Sequence, residues 1–277
     1  MKKAMVHWKR LCAVLTAASA LLLVSCSSGP DAGVMVREAK SGISGMKNCT
    51  ATVSSTLIFT ANGTRHSFQT TNDVNYNASP FALKSSLSSN NDGSANKNVT
   101  YTVTEDGKIG FYCKDATGWQ KSPVQNMDTS ATAQISMLQM LSNVDDQKFV
   151  RQTVIGSQKV QKIELKLKSE VLRSTIENIV TASGMGNGSK TIVQTLLDSA
   201  PTVYGYCYIC VDSGKLVRLE LDAADPVNQI FNNIDGSTIK IIVEKCVTTG
   251  DLSKVDSTPA VVLPEEAKGA SSVVAQG

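Results

Sequence analysis

The chain has 277 residues, 42% of them apolar and 5% aromatic, with 27 basic against 24 acidic side chains. The apolar share is enough for a core, and the near balance of charge excludes a strongly basic surface of the kind that grips nucleic acid. Two histidines and seven cysteines, with no second C-x-x-C, exclude the usual structural zinc frameworks, and no metal or cofactor is expected.

Met1-Lys2-Lys3 and Lys9-Arg10 form a basic start, and Leu11 to Val24 carries no charge. That run is too short to span ~30 Å of hydrocarbon, which takes about 20 residues, and it reads as a secretory signal. Leu23-Val24-Ser25-Cys26 resembles a bacterial lipobox. The resemblance implies a diacylglyceryl group on the thiol of Cys26, cleavage just before that residue, two or three acyl chains such as palmitate on the one cysteine, and a lipid anchor on the extracytoplasmic face of the cell membrane. Each buried CH₂ contributes about 0.8 kcal/mol, so two or three chains hold durably where one does not. Ser27-Ser28-Gly29-Pro30-Asp31 then serves as a flexible tether. The expected organisation is a signal over 1–25, a lipidated tether over 26–33, one domain over 34–268 and a flexible tail over 269–277. Cleavage removes 4 of the 27 basic residues and no acidic one, leaving 23 against 24 and a net charge of −1. The sequence pI of 8.4 therefore belongs to the precursor, and nucleic acid is not an expected partner.

From Asp31 to Lys47 the spacing of Val34, Met35, Val36, Ala39, Ile43 and Met46 predicts a helix, weakened by Gly42 and Gly45. Cys49 to Ala61 alternates, with Ala51, Val53, Ser55, Leu57, Phe59 and Ala61 on one face. Asn62-Gly63 is a two-residue hairpin turn. Strands follow over about Thr64–Tyr76, with Phe68 and Val74 on one side, and over Phe81–Leu87; Asn90-Asn91-Asp92-Gly93 reverses the chain. Val99, Tyr101 and Val103 mark another strand. Glu105-Asp106-Gly107-Lys108 turns, Ile109, Phe111 and Cys113 return, and Asp115-Ala116-Thr117-Gly118 turns again before Trp119. Such repeated antiparallel pairing is a meander, not a βαβ succession. A helix capped by Asp128 or Thr129 is predicted up to Asn143, its stripe formed by Ala131, Ile135, Leu138 and Leu141.

The second half repeats the plan. Strands are predicted over Val150–Ile155 and Lys159–Leu167, then a helix capped by Ser169 and carrying Leu172, Ile176, Ile179 and Val180. Gly184-Met185-Gly186-Asn187-Gly188-Ser189 reads as a linker; it has no lysine and lacks the strand-to-helix setting of a phosphate loop. Val203–Val211 and Lys215–Leu221 form a hairpin over Asp212-Ser213-Gly214, and Thr238–Val247 is the last clear strand. Val261-Val262-Leu263-Pro264 reads as a short edge piece, with loose chain from Ala267 on. After cleavage and acylation Cys49, Cys113, Cys207, Cys210 and Cys246 remain, an odd number that leaves at least one unpaired within the chain, with any pairing unassigned. Cys207 and Cys210 have redox spacing but sit in a strand, where residues three apart face opposite ways.

A helix ending in Met46-Lys47-Asn48, an up-and-down meander, short covering helices and a second meander closing on Pro264-Glu265-Glu266-Ala267-Lys268 resemble the LolA/LprG-type lipoprotein superfamily. The likeness is strongest in the segment from Lys108 through Trp119 to Lys121. It implies an α+β fold: a curved, unclosed antiparallel half-barrel with helices over its concave face and an apolar cavity between. It also implies a lipid or other hydrophobic ligand in that cavity. Leu57, Phe59, Phe68, Phe81, Leu83, Phe111, Leu219 and Leu221 are the candidate lining residues, with plain core packing the favoured reading at any single position.

Catalysis has little support. His66 follows the Asn62-Gly63 turn and reads as an exposed hairpin histidine, no G-x-S-x-G elbow occurs, and Asp145-Asp146 and Glu265-Glu266 are adjacent carboxylates that diverge or lie in solvent. Two non-enzymatic readings stand. One is a lipid-anchored carrier or sensor of a hydrophobic ligand. The other is a structural or interaction lipoprotein with a filled core, its protein partner unspecified.

Overall fold

The computed structural model describes residues 29–115, 117–124, 126–184, 190–233 and 240–272. The signal segment, Cys26 and most of the 184–189 linker lie outside these described residues. The first element is helix α1 (Ala32–Ser44), whose buried Ala32, Val36, Ala39 and Ile43 recur at helical spacing.

Strand β1 (Asn48–Ala61) buries every second residue over most of its length, as the sequence alternation requires. It is followed by β2 (Thr64–Ala78), β3 (Phe81–Asn91), β4 (Ser94–Glu105), β5 (Lys108–Asp115) and β6 (Gly118–Val124). Three of the connecting hairpins use two residues with positive φ: Asn62-Gly63, Asp92-Gly93 and Asp106-Gly107. This is the type I′ geometry whose twist matches that of the strands it joins.

The second half contributes β7 (Val144–Ile155), β8 (Gln158–Leu167), β9 (Val203–Cys210), β10 (Leu216–Asp222) and β11 (Ile241–Ser253), and β12 (Ser271–Ser272) closes the series. All join one sheet in the order β12-β6-β5-β4-β3-β2-β1-β11-β10-β9-β8-β7. Every pairing is antiparallel except the short parallel contact of β12 with β6. The two meanders meet where β1 pairs with β11 over Thr50–Ala61. Strand β7 ends the other side, so the sheet is an unclosed half-barrel. Register shifts at Ile58/Phe59, Leu216/Arg218 and Phe149/Arg151 are bulges, which add the local twist that bends long strands.

Five helical elements pack on one face of the sheet around a continuous apolar core. Besides α1 they are α2 (Ala131–Gln134) with a 3₁₀ segment (Ser136–Asn143), a 3₁₀ turn (Ser169–Leu172) running into α3 (Arg173–Ala182), α4 (Lys190–Asp198) and α5 (Ala224–Asn232). A last turn, α6 (Glu265–Lys268), lies with Leu263 on the opposite face, against Tyr101, Val103 and Tyr112.

Several expectations need correction. The single helix predicted up to Asn143 is broken at Ile135, whose φ of −110° and ψ of 96° are extended. Its cap is Ser130, whose Oγ accepts the Ala133 N–H at 3.3 Å, while Asp128 accepts the N–H of Ser130. The stripe survives the break because Ile135, Leu138 and Leu141 are three apart, which suits a 3₁₀ helix of three residues per turn. Strand β7 begins at Val144, not Val150, because an edge strand tolerates the exposed Asp145-Asp146 pair. Strand β11 continues to Ser253, past the apolar run, as Thr248 and Thr249 pair with β1 and β10. Helices α4 and α5 are additions; each buries three apolar residues in fewer than three turns, too short a period to stand out. Val261–Pro264 forms no strand: the Val261 N–H donates to Asn77 Oδ1 at 2.8 Å, and the edge contact belongs to Ser271–Ser272. Ala267 is fully buried and Ser271–Ser272 pair with β6, so this part of the end expected to be loose is held; residues 273–277 lie outside the described residues.

Candidate ligand pocket

Residues directly opposite across neighbouring strands face the same way. Ser55 on β1, Thr248 on β11 and Leu221 on β10 form one such row on the helix-covered face. Ser55 Oγ and Thr248 Oγ1 are 3.0 Å apart. With Val53 and Cys246 these residues make the floor of a pocket of about 360 Å³. Its roof is Met137 and Met140 of the 3₁₀ segment and Val171 beside α3. The volume falls in the range of roughly 300–1,000 Å³ typical of small-molecule sites.

Two glycines set the height of that roof. A Cβ added at Gly250 would stand 2.6 Å from Met137 Cγ and 2.9 Å from Met137 Cβ. One added at Gly205 would stand 2.7 Å from Met140 Cε and 3.0 Å from the Glu220 carbonyl oxygen. Each methionine of the 3₁₀ segment thus rests in a notch that only glycine leaves open.

The rim is polar. Glu170 pairs with Arg173, which also donates to Gln194 Oε1 at 2.7 Å. Hydrogen bonding from Arg173 holds the Glu170 carboxyl below its ordinary range and raises the guanidinium in turn. Inside, the Cys246 Sγ lies 4.0 Å from Thr175 Oγ1, and burial pushes this thiol up to about 11. It is a neutral, apolar wall at physiological pH, not a nucleophile.

A second pocket of about 290 Å³ lies under the C-terminal half of α1, against Leu216, Leu252 and Val255, with Lys215 and Asp256 at its edge. Lys215 Nζ and Asp256 Oδ2 are 3.1 Å apart.

Leu221 is the expected lining residue that borders the first pocket, among the described residues. Phe59 and Leu219 are fully buried in solid core, and Leu57, Phe81 and Leu83 are buried beside them. Phe68 is half-buried and stacks on Phe59 with ring centroids 6.1 Å apart, and Phe111 is half-buried on β5. The methionine roof and Val171 carried no signal in the sequence beyond ordinary helix patterning.

His66 departs from its expected exposure. It lies opposite Phe59 on the core-facing row, stacks on that ring at 5.1 Å, and leaves 18% of its side chain exposed. Its Nδ1 meets Asp92 Oδ2 at 3.0 Å. The Ser67 N–H donates to Asp92 Oδ1 at 2.6 Å, and no serine hydroxyl or cysteine thiol bonds to His66 or Asp92 among the described hydrogen bonds. Cys49, Cys113, Cys207, Cys210 and Cys246 are all free thiols. Cys207 and Cys210 pair with Ile163 and Val160 on opposite faces of β8, so the C-x-x-C spacing brings no pair together. The described residues hold no group of three or more metal-binding side chains, and no described helix is long and apolar enough to cross a membrane.

No protein-family model and no curated protein matches the chain. Solved structures do. The Mycobacterium tuberculosis lipoprotein LppX is 15% identical, with 83% of this chain and 97% of that one covered at a TM-score of 0.43. LprF from Mycobacterium bovis is 11% identical, with 86% and 98% covered at a TM-score of 0.48.

Proposed function

We propose that the chain is a lipid-anchored envelope protein that holds a hydrophobic ligand, such as an acyl chain, in the pocket between the sheet and the 3₁₀–α3 cover. The observation that carries this reading is the pocket's make-up: Val53, Leu221 and Cys246 line the floor beside the hydroxyls of Ser55 and Thr248, two methionines cover it, and Glu170, Arg173 and Glu177 also line it. Methionine is unbranched and polarizable, and it adapts to apolar guests of differing shape. The polar rim suits a ligand with a polar end left in water. The anchor is the acylated Cys26 that the lipobox implies, on the outer face of the membrane. The role is binding without catalysis.

The test is mass spectrometry of organic extracts from the full chain purified from its membrane. A lipid recovered in stoichiometric amount, and lost in Leu221→Trp, is the expected result. Repeated recovery with nothing bound, together with no uptake of a fluorescent fatty acid, would favour the second reading: an interaction lipoprotein with a filled core. For the anchor, a Cys26→Ser chain that stays on the membrane through a carbonate wash would show that something other than acylation holds it.

A further inference from the structure

Strands β1 to β4 also have an outer face, turned away from the helices, and one cross-strand row on it runs Thr50–Asn75–Lys84–Tyr101. The segment after β11 crosses this row as a strap. Hydrogen bonds and packing fix its course: the Thr258 N–H donates to Asn48 Oδ1 at 2.7 Å, the Val261 N–H donates to Asn77 Oδ1 at 2.8 Å, and Leu263 joins the apolar cluster that contains Tyr101. Between row and strap lies a pocket of about 280 Å³. The sheet separates it from the pocket under the 3₁₀ segment, so it is no part of the site proposed above.

The groups left open in this outer pocket are donors. Lys84 and Lys254 line it, no carboxylate does, and neither lysine has an ion pair among the described residues. Lys84 Nζ lies 5.8 Å from the centre of the Tyr101 ring. The threonine hydroxyl hydrogens are committed: Thr50 Oγ1 donates to Asn75 Oδ1 at 3.0 Å, and Thr258 Oγ1 donates to the Lys254 carbonyl at 2.9 Å. The two ammonium groups, the Asn75 side-chain N–H groups and the Tyr101 hydroxyl keep no partner among the described hydrogen bonds. In the next row of the same face, Asp73 accepts the Thr52 hydroxyl at 2.6 Å and Asp251 pairs with Arg218.

We propose that this outer pocket binds a phosphate group, carried by a soluble phosphate ester or by a phospholipid headgroup. A phosphate monoester has about two negative charges at neutral pH and three strong acceptor oxygens. Two unpaired ammonium groups and two kinds of neutral donor answer that pattern, and no acid lines the pocket to repel it. Ammonium groups donate charge-assisted hydrogen bonds to phosphate, which are stronger than neutral ones. Lys254 has a φ of 50°, in the left-handed region that asparagine adopts at lower cost than lysine. Lys254→Asn therefore removes the charge and suits the backbone.

The experiment is calorimetric titration of the full chain in non-ionic detergent with sn-glycerol 3-phosphate and, separately, with dihexanoyl phosphatidylglycerol. Salt is held low and constant, because exposed charges are screened. Saturable binding is expected, weakened roughly tenfold or more by Lys254→Asn and by Lys84→Gln, as the loss of a hydrogen bond from a charged group implies. Lys97→Gln, on the same face of β4 but outside this pocket, should leave it unchanged. Tighter binding of glycerol phosphate assigns the site to a soluble ester, and tighter binding of the lipid assigns it to a headgroup. No saturable binding of either probe overturns the site. So does binding that both lysine variants leave unchanged, or that Lys97→Gln weakens as much. If Lys84→Gln shows no folded thermal transition, Lys254→Asn decides, and wild-type affinity there overturns the site.

Discussion

Gly250→Ala is the sharpest perturbation the fold offers. The new methyl would enter at 2.6 Å from Met137 Cγ and 2.9 Å from Met137 Cβ, against an ordinary carbon separation of about 3.5–4.0 Å. Because Met137 Cβ is within reach, rotating the far end of the side chain does not suffice. The 3₁₀ segment must lift by about 1 Å, and it is held at its other end by Met140 in the Gly205 notch. Overpacking of this kind costs about 1–3 kcal/mol. Replacing glycine by alanine within a strand returns roughly 0.5–1 kcal/mol of backbone entropy. A net loss of about 1–2 kcal/mol follows, which in a chain of this size lowers Tm by about 2–8 °C. The assay is denaturant unfolding of Gly250→Ala, Met137→Ala and the double variant. Met137→Ala alone loses packing and leaves a void, but in the double variant the methyl added at Gly250 fills part of that void. The two effects should therefore fall short of additivity by about 1 kcal/mol. Additivity within about 0.5 kcal/mol would refute the direct contact.

Other outcomes follow from the same geometry. Gly63→Ala places a Cβ at a φ of +81° in the first hairpin and should cost about 1–2 kcal/mol in urea unfolding, whereas Asn62→Gly should be near neutral. Asp256, which accepts the Lys47 N–H and pairs with Lys215, has its carboxyl held below the ordinary range, as do Glu105 beside Lys121 and Glu170 beside Arg173. A carboxylate depressed in the folded state stabilises fully above its unfolded pKa of about 4 and loses that contribution as pH falls through the folded value. Thermal melts should therefore match at pH 7 and 5 and drop at pH 3, and a rise at pH 3 would contradict the assignment. Burial pushes the Cys49 and Cys207 thiols up to about 12 and Cys246 up to about 11. Iodoacetamide at pH 8 should modify these three only after denaturant is added, as peptide mapping would record.

Much of the sheet was legible because its signals are local. Asn62-Gly63 carries the turn type in two residues, and the alternation of Ala51 to Ala61 carries the buried face of β1. What was not legible depends on distant partners. The pairing of β1 with β11 joins Thr50 to Ser253, and nothing near either residue announces it. Thr248 and Thr249 of β11 look like loop until both neighbouring strands supply their hydrogen bonds. His66 looks exposed beside a polar turn, yet the register sets it against Phe59.

The pocket shows the same division more sharply. Leu219 and Leu221 are two residues apart on one strand and point the same way, so periodicity treats them alike. One is fully buried in packed core and the other borders a pocket. What separates them lies on the element above: Met137 drops into the Gly250 notch over the row of Leu219, and the cover next to it stands clear of the row of Leu221. Hollowness is thus fixed by where the chain lacks a side chain and by what rests there, and Gly205 and Gly250 read in the sequence as weak points in otherwise ordinary strands. If the notches set the roof, enlarging either glycine should change ligand uptake and stability together. A substitution at Leu219, in the same row but outside either notch and not bordering the pocket, should change stability and leave ligand uptake as it was.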